Sequence, residues 1–224
     1  MKYSQSKREK GPPADLQALC RSVGARFGSE VEEAGAAFRP TGLARLDHRV
    51  GGGLPLNALS EVVEAAPSAG ASLLLHCLLE TVRARRAYAA LVDGADGFAP
   101  EEAGEELLRQ LYWVRCRELD EALRVAELLA ADGNFGLLLI DLRGKEARVL
   151  RRVPARRWQR LRRMMRKSCC TGLVLTPEPL VAAASLRLRL GASFGLSALE
   201  RPQALLAEEV EVEALRAAGG AANG

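Results

Sequence analysis

The stretch Phe135–Leu142 reads FGLLLIDL. A run of this length that is apolar at both parities makes a strand only in a sheet covered on both faces. It does not stand alone. LSEVVEA (Leu59–Ala65), AYAALVDG (Ala87–Gly94), LYWVRC (Leu111–Cys116) and TGLVLTP (Thr171–Pro177) are comparable runs. Between them lie segments at helical spacing: about Ala69 to Arg85, Pro100 to Gln110, Asp120 to Gly133 and Pro154 to Cys170. Strands that alternate with helices predict an α/β fold with a largely parallel sheet, covered by helices on both faces. A sixth strand is expected over Val181–Ala192. Its SLRLRL alternates strictly, with Arg187 and Arg189 on one side, as at a sheet edge or an antiparallel addition.

The 224 residues suffice for one packed domain with tails. Residues 1–13 are polar and Pro/Gly-bearing and are expected to be disordered. Residues 14–40 carry a short amphipathic helix (Leu16, Leu19, Cys20, Val23 and Phe27 on one face) and a linker. Residues 41–198 form the α/β core, entered by a brief helix (Gly42–Arg49) and the glycine-rich loop Gly51–Gly53. Residues 199–224 read as an acidic, alanine-rich tail with room for a short helix after Pro202. Apolar residues make up 48 % of the chain but aromatics only 4 %, so Leu, Val and Ala build the core and platforms for stacking bases are scarce.

Five scattered cysteines (Cys20, Cys77, Cys116, Cys169, Cys170) show no metal-ligand spacing and read as free thiols of a reducing cytoplasm. MKYSQSKREKGPP is basic but no apolar run follows it, and no segment approaches the ~20 apolar residues of a membrane span. The expectation is a cytoplasmic protein without membrane contact. His48 and His76 lack ligand-spaced partners, and Ser68 and Ser72 lack a histidine base. Neither a metal site nor a serine hydrolase is indicated.

The chemistry concentrates after the first core strand. A phosphate loop reads G-x-x-x-x-G-K-[ST], sits between strand and helix, and surrounds phosphates with backbone N–H groups. The corresponding positions here read A-A-P-S-A-G-A-S. Pro67, Ser68, Gly70 and Ser72 are compatible with the turn. Ala65 replaces the first glycine and Ala71 the lysine. A lost charge-assisted contact is worth roughly 1.5–3 kcal/mol, or at least ten- to a hundredfold in affinity. Asp141 closes an apolar strand where nucleotide-binding folds place a Mg²⁺-organising carboxylate. It is equally an ordinary polar strand end.

The run TGLARLDHRVGGGLPLNALSEVVEAAPSAGAS resembles the entry into the RecA core, with a TG-x-x-x-LD helix, a G-G-L-P turn and the strand into the phosphate loop. LVDGADGFAP, YWVRCRELDEALRVAELLA, FGLLLID, RLRRMMRKSCCTGLVLTP and AASLRLRL are similar to the elements that follow, in order, from about Thr41 to Leu190. The departures from RecA are systematic. The acid that would activate water falls on Ala95, beside Asp96, and the γ-phosphate-sensing glutamine falls near Thr176–Pro177. Only EPL (Glu178–Leu180) remains of the second DNA-binding loop.

This pattern most resembles the ImuA family, short RecA-like proteins sometimes grouped with the division inhibitor SulA. The resemblance implies a non-catalytic accessory role, without bound ATP or Mg²⁺, in SOS-induced error-prone translesion DNA synthesis. The partners it implies are an ImuB-like polymerase homologue, an error-prone polymerase subunit, RecA, and single-stranded or damaged DNA. An alternative is a regulator of RecA filaments, or a SulA-like division inhibitor, acting through protein binding alone.

Charge is the last signal. Between Arg143 and Lys167 there are 12 Lys or Arg and one acid, so of the net +4 this stretch holds +11 and the rest of the chain −7. It follows Asp141 where the RecA family has its first DNA-binding loop. Within it Trp158, Leu161, Met165 and Cys169 share a face directed at the sheet, leaving Arg156, Arg160, Arg163 and Lys167 for solvent. Arg148, Arg151, Arg152 and Arg157 complete the expected DNA-binding set. A polyanion and an acidic protein segment are both open as its partner.

Overall fold

The apolar runs become strands whose order in space is not their order in sequence. The computed structural model describes residues 38–191 and 193–216. The stretch 1–13 and the amphipathic segment Asp15–Phe27 lie outside the described residues. A two-stranded ribbon pairs β1 (Phe38–Arg39) with β2 (Leu54–Pro55). The main sheet contains β3 (Leu59–Val63), β4 (Ala89–Asp93), β5 (Leu111–Arg115), β6 (Leu137–Asp141), β7 (Thr171–Thr176), β8 (Leu186–Leu190) and β9 (Val212–Arg216). Its seven strands are ordered β5-β4-β6-β7-β3-β8-β9. From β5 to β8 all neighbours are parallel, and β9 adds antiparallel to β8. This is the expected α/β class, consistent with a RecA-like core.

Seven helices connect the described strands: α1 (Ala44–Val50), α2 (Ala71–Ala84), α3 (Glu105–Leu108), α4 (Leu119–Asp132), α5 (Ala147–Leu150), α6 (Ala155–Ser168) and α7 (Gln203–Glu209). On one face of the sheet α1 and α2 bury Leu46, Leu74 and Leu78 with Leu91, Leu139, Leu175 and Leu188. On the other, α4 and α6 bury Leu123, Ala126, Trp158, Leu161 and Met165 with Val92, Ile140 and Val174. Each fully buried leucine contributes roughly 1.5–3 kcal/mol, so a leucine core needs few aromatics. Gly172 of β7 lets α6 sit close. A Cβ there would lie 2.3 Å from the tip of Met165.

The TG-x-x-x-LD segment has a local cause. The amide and hydroxyl of Thr41 both donate to the Asp47 carboxylate, at 2.9 and 2.8 Å, and tie the entry to α1. Burial raises the Asp47 pKa against the lowering effect of those bonds.

Four expectations are corrected. The helix over Pro100–Gln110 is a 3₁₀ turn (Pro100–Glu102) and the short α3, because Gly104 takes φ +72° between them. The sixth strand is only Leu186–Leu190; the segment before it is a crossover held by Glu61. The helix α6 stops at Ser168, and Cys169, at φ +58°, is exposed while Cys170 turns inward. Burial pushes the Cys170 thiol up to about 12. Last, the supposed tail contains α7 and β9, and Val212 joins the core.

Candidate functional site

Parallel strands bring their carboxyl ends to one edge of the sheet, where α/β proteins place ligands. The loop from Glu64 to Ser72 leaves β3 there, and Asp141 ends β6 two strands away. The loop keeps its turn. Ser68 has φ +60° and Gly70 φ +104°, whereas Ala65 is exposed and needs no positive φ. Pro67, Ser68 and Ser72 are exposed, and Gly70 and Ala71 are buried at the start of α2.

Charges from elsewhere in the chain fill this cleft. Glu64 Oε1 accepts a hydrogen bond from the Ala71 amide at 3.1 Å, at the helix N-terminus where a phosphate loop offers its amides to phosphate oxygens. A carboxylate is favoured there by the same dipole that would favour phosphate. Glu64 Oε2 also accepts a bond from Arg143 Nη1 at 2.7 Å. Arg143 donates through Nε and Nη2 to the two Asp141 oxygens, at 3.0 and 2.6 Å, and reaches the Ser72 hydroxyl at 3.4 Å. The guanidinium thus lies among Asp141, Glu64 and Ser72, of which Asp141 and Ser72 occupy the positions a phosphate loop would turn toward Mg²⁺.

The network is well buried: the side chains of Arg143, Glu64 and Asp141 are 16 %, 8 % and 2 % exposed. Burial alone would lower the Arg143 pKa, but bonds to Asp141 and Glu64 outweigh it and hold the pKa above its ordinary value. The loop is also covered from outside. Phe194 donates its amide to the Ser68 carbonyl at 2.9 Å. A Cβ on Gly70 would meet Val210 at 3.2 Å and Phe194 at 3.4 Å.

Neighbouring strand ends are equally occupied. Asp93, at the end of β4, accepts bonds from the amides of Ala95, Gly97 and Phe98 and from Trp113 Nε1. Asp96, beside Ala95 where the resemblance puts the water-activating acid, is 77 % exposed and paired with Arg115. Thr176, near the expected sensor position, donates to Glu61 Oε1 at 2.9 Å. Glu61 is fully buried and also takes the Leu180 and Val181 amides and Arg187 Nε. It staples the short Glu178–Leu180 connection to the sheet.

The basic segment divides into two sets. Arg157 pairs with Asp120 and Glu127 of α4, and Arg160 with Glu127 at 3.7 Å. Arg148 pairs with Glu146 and Arg151 with Glu178. By contrast Arg152, Arg156, Arg163 and Lys167 are exposed and have no ion-pair partner among the described residues, nor have Arg162 and Arg166. Trp158 is 1 % exposed and packs in the core with Leu161 and Met165.

Sequence reasoning located the altered loop, Asp141 and the basic helix, but missed Glu64, Arg143, Glu61 and Asp93 as organising groups. Arg143 was visible only as one charge of the basic block, since its partner Glu64 is 79 residues away. Among the described residues no group of three His, Cys, Asp or Glu is placed to hold a metal, and no helix is long and apolar enough to cross a membrane. Compared with protein families and curated proteins, the chain matches no family model and no curated protein.

Proposed function

We propose that this chain is a non-catalytic, RecA-fold accessory protein that binds the DNA backbone, acting in the cytoplasm with polymerase partners during SOS-induced translesion synthesis, as the ImuA-like motifs imply. The observation that carries the non-catalytic part is the Arg143 guanidinium between Asp141 and Glu64. A magnesium triphosphate does not fit this arrangement. The cation position holds an arginine, the Ala71 amide is taken by a carboxylate, and Ala71 stands where a phosphate loop has its lysine. The DNA part is supported by exposed arginines without acidic partners on α6.

The test is binding of a fluorescent oligonucleotide, with and without millimolar Mg-ATP, beside a phosphate-release assay. The expected result is binding at moderate salt that ATP leaves unchanged, with no phosphate released. Ordinary ATP affinity with DNA-stimulated hydrolysis would refute the reading. An absence of oligonucleotide binding, together with capture of purified RecA or an ImuB-like polymerase homologue, would favour action through protein contacts alone.

A further inference from the structure

The helix α6 contains no acidic residue, yet carries arginine at both ends and along its length. In its first turn Arg156 and Arg157 oppose the helix dipole, while Arg166 and Lys167 in the last turn complement it. Arg157 is compensated by Asp120 and Glu127; Arg156 is not. The pairs Arg162/Arg166 and Arg163/Lys167 are four residues apart on the helix, a spacing at which like charges repel. Arrangements that cost stability in the free protein are explained most simply by a ligand that relieves them.

Resting on the proposed DNA-binding function, we propose that one ridge of α6, made by Arg156, Arg163 and Lys167, flanked by Arg162 and Arg166 and preceded by Arg152 in the turn before the helix, is the track for a nucleic-acid sugar–phosphate backbone. At 1.5 Å per residue the stripe from Arg156 to Lys167 is about 16 Å long, the axial length of roughly five phosphates on one strand of a B-form duplex. Trp158, Leu161 and Met165 fix the opposite face of the helix against the sheet. No described exposed aromatic lies on α6; Tyr88 just precedes β4 and Tyr112 lies on β5, at the far edge of the sheet. Bases therefore meet no aromatic platform among the described residues of this face, and the track grips backbone without reading sequence. Arg148, Arg151 and Arg157, which already have carboxylate partners, stand outside it.

The assay is fluorescence anisotropy over a salt series with oligo(dT), a mixed-sequence single strand and poly-glutamate. We compare the full chain, a variant carrying Arg156→Glu, Arg163→Glu and Lys167→Glu, and one carrying Arg148→Ala and Arg151→Ala. Four to six neutralised phosphates give a log–log salt slope of roughly −3 to −4 for a single strand. The expected result is similar affinity for both oligonucleotides, a loss of at least tenfold in the ridge variant, and less than a twofold change in the Arg148/Arg151 variant. The charge-reversed residues are solvent-exposed, and circular dichroism verifies that the variant folds. Oligonucleotide binding that survives ridge reversal but falls in the Arg148/Arg151 variant overturns the track while leaving the DNA-binding function standing. Poly-glutamate binding as tight as oligo(dT) binding overturns the assignment to nucleic acid, and binding to neither refutes both readings.

Discussion

Replacing Arg143 by alanine tests what holds the loop from Glu64 to Ser72 in place. The substitution leaves Asp141 and Glu64 as facing carboxylates, 2 % and 8 % exposed, with the charge that joined them removed. Each keeps a backbone donor, the Arg143 amide for Asp141 and the Ala71 amide for Glu64. Breaking a buried ion pair on one side costs about 3–5 kcal/mol, and the retained donors place this case near 3. For a chain of this size that is a fall in melting temperature of about 6–12 °C. The facing carboxylates then repel one another across the cleft with nothing between them.

The loss has an ion signature. Asp141, Glu64 and Ser72 supply oxygens suited to Mg²⁺ or Mn²⁺, so millimolar divalent ion should stabilise the variant and leave the parent unchanged. Urea denaturation with and without Mg²⁺ reads both effects. Removing all the charges together (Glu64→Gln, Asp141→Asn, Arg143→Met) should recover most of the stability. An Arg143→Ala protein within about 0.5 kcal/mol of the parent and unresponsive to metal would refute the reasoning, since most changes that disturb nothing fall inside that band.

Three further expectations follow from other elements. Glu61→Ala removes the acceptor of the Thr176 hydroxyl, two crossover amides and Arg187, and should cost about 3–5 kcal/mol in urea while exposing residues 177–185 to proteolysis. A loss under about 1 kcal/mol would contradict the stapling role. Gly172→Ala should cost about 1–3 kcal/mol, because the new methyl meets a Met165 tip that the core confines; pairing it with Met165→Ala should return part of that loss. Arg157 holds the Asp120 pKa below its usual value, so this carboxylate stabilises the fold above about pH 3.9 and the benefit fades as pH falls. The denaturation midpoint of Asp120→Asn should lie below the parent's at neutral pH and converge with it in acid, whereas a gap constant with pH would refute the linkage.

The central strands were legible because a doubly covered parallel sheet forces apolar residues onto both faces, and β6 has hardly another option than burial. Boundaries failed where a single residue overrules periodicity. Gly104 cuts one helix, and Cys169, in a left-handed conformation, ends another two residues early and turns Cys170 inward. The last strand was hidden by its composition. Val210, Glu211, Val212 and Glu213 alternate as a half-buried edge strand should, but acidic residues in an alanine-rich setting read as tail. The filled cleft was half legible. Ala71 announced a missing cation, but its replacement arrives from beyond β6, across a sequence separation that local pattern does not span.

The cover that Phe194 and Val210 make over Gly70 bears on any effort to build a phosphate loop into this chain. Writing lysine at Ala71 would put an ammonium at a position already sealed into the protein interior. Arg143, Glu64 and the covering side chains of Phe194 and Val210 would have to yield together. Single substitutions toward such a loop therefore each leave an unmatched charge or a hole, so packing opposes the change as much as the absence of one residue does.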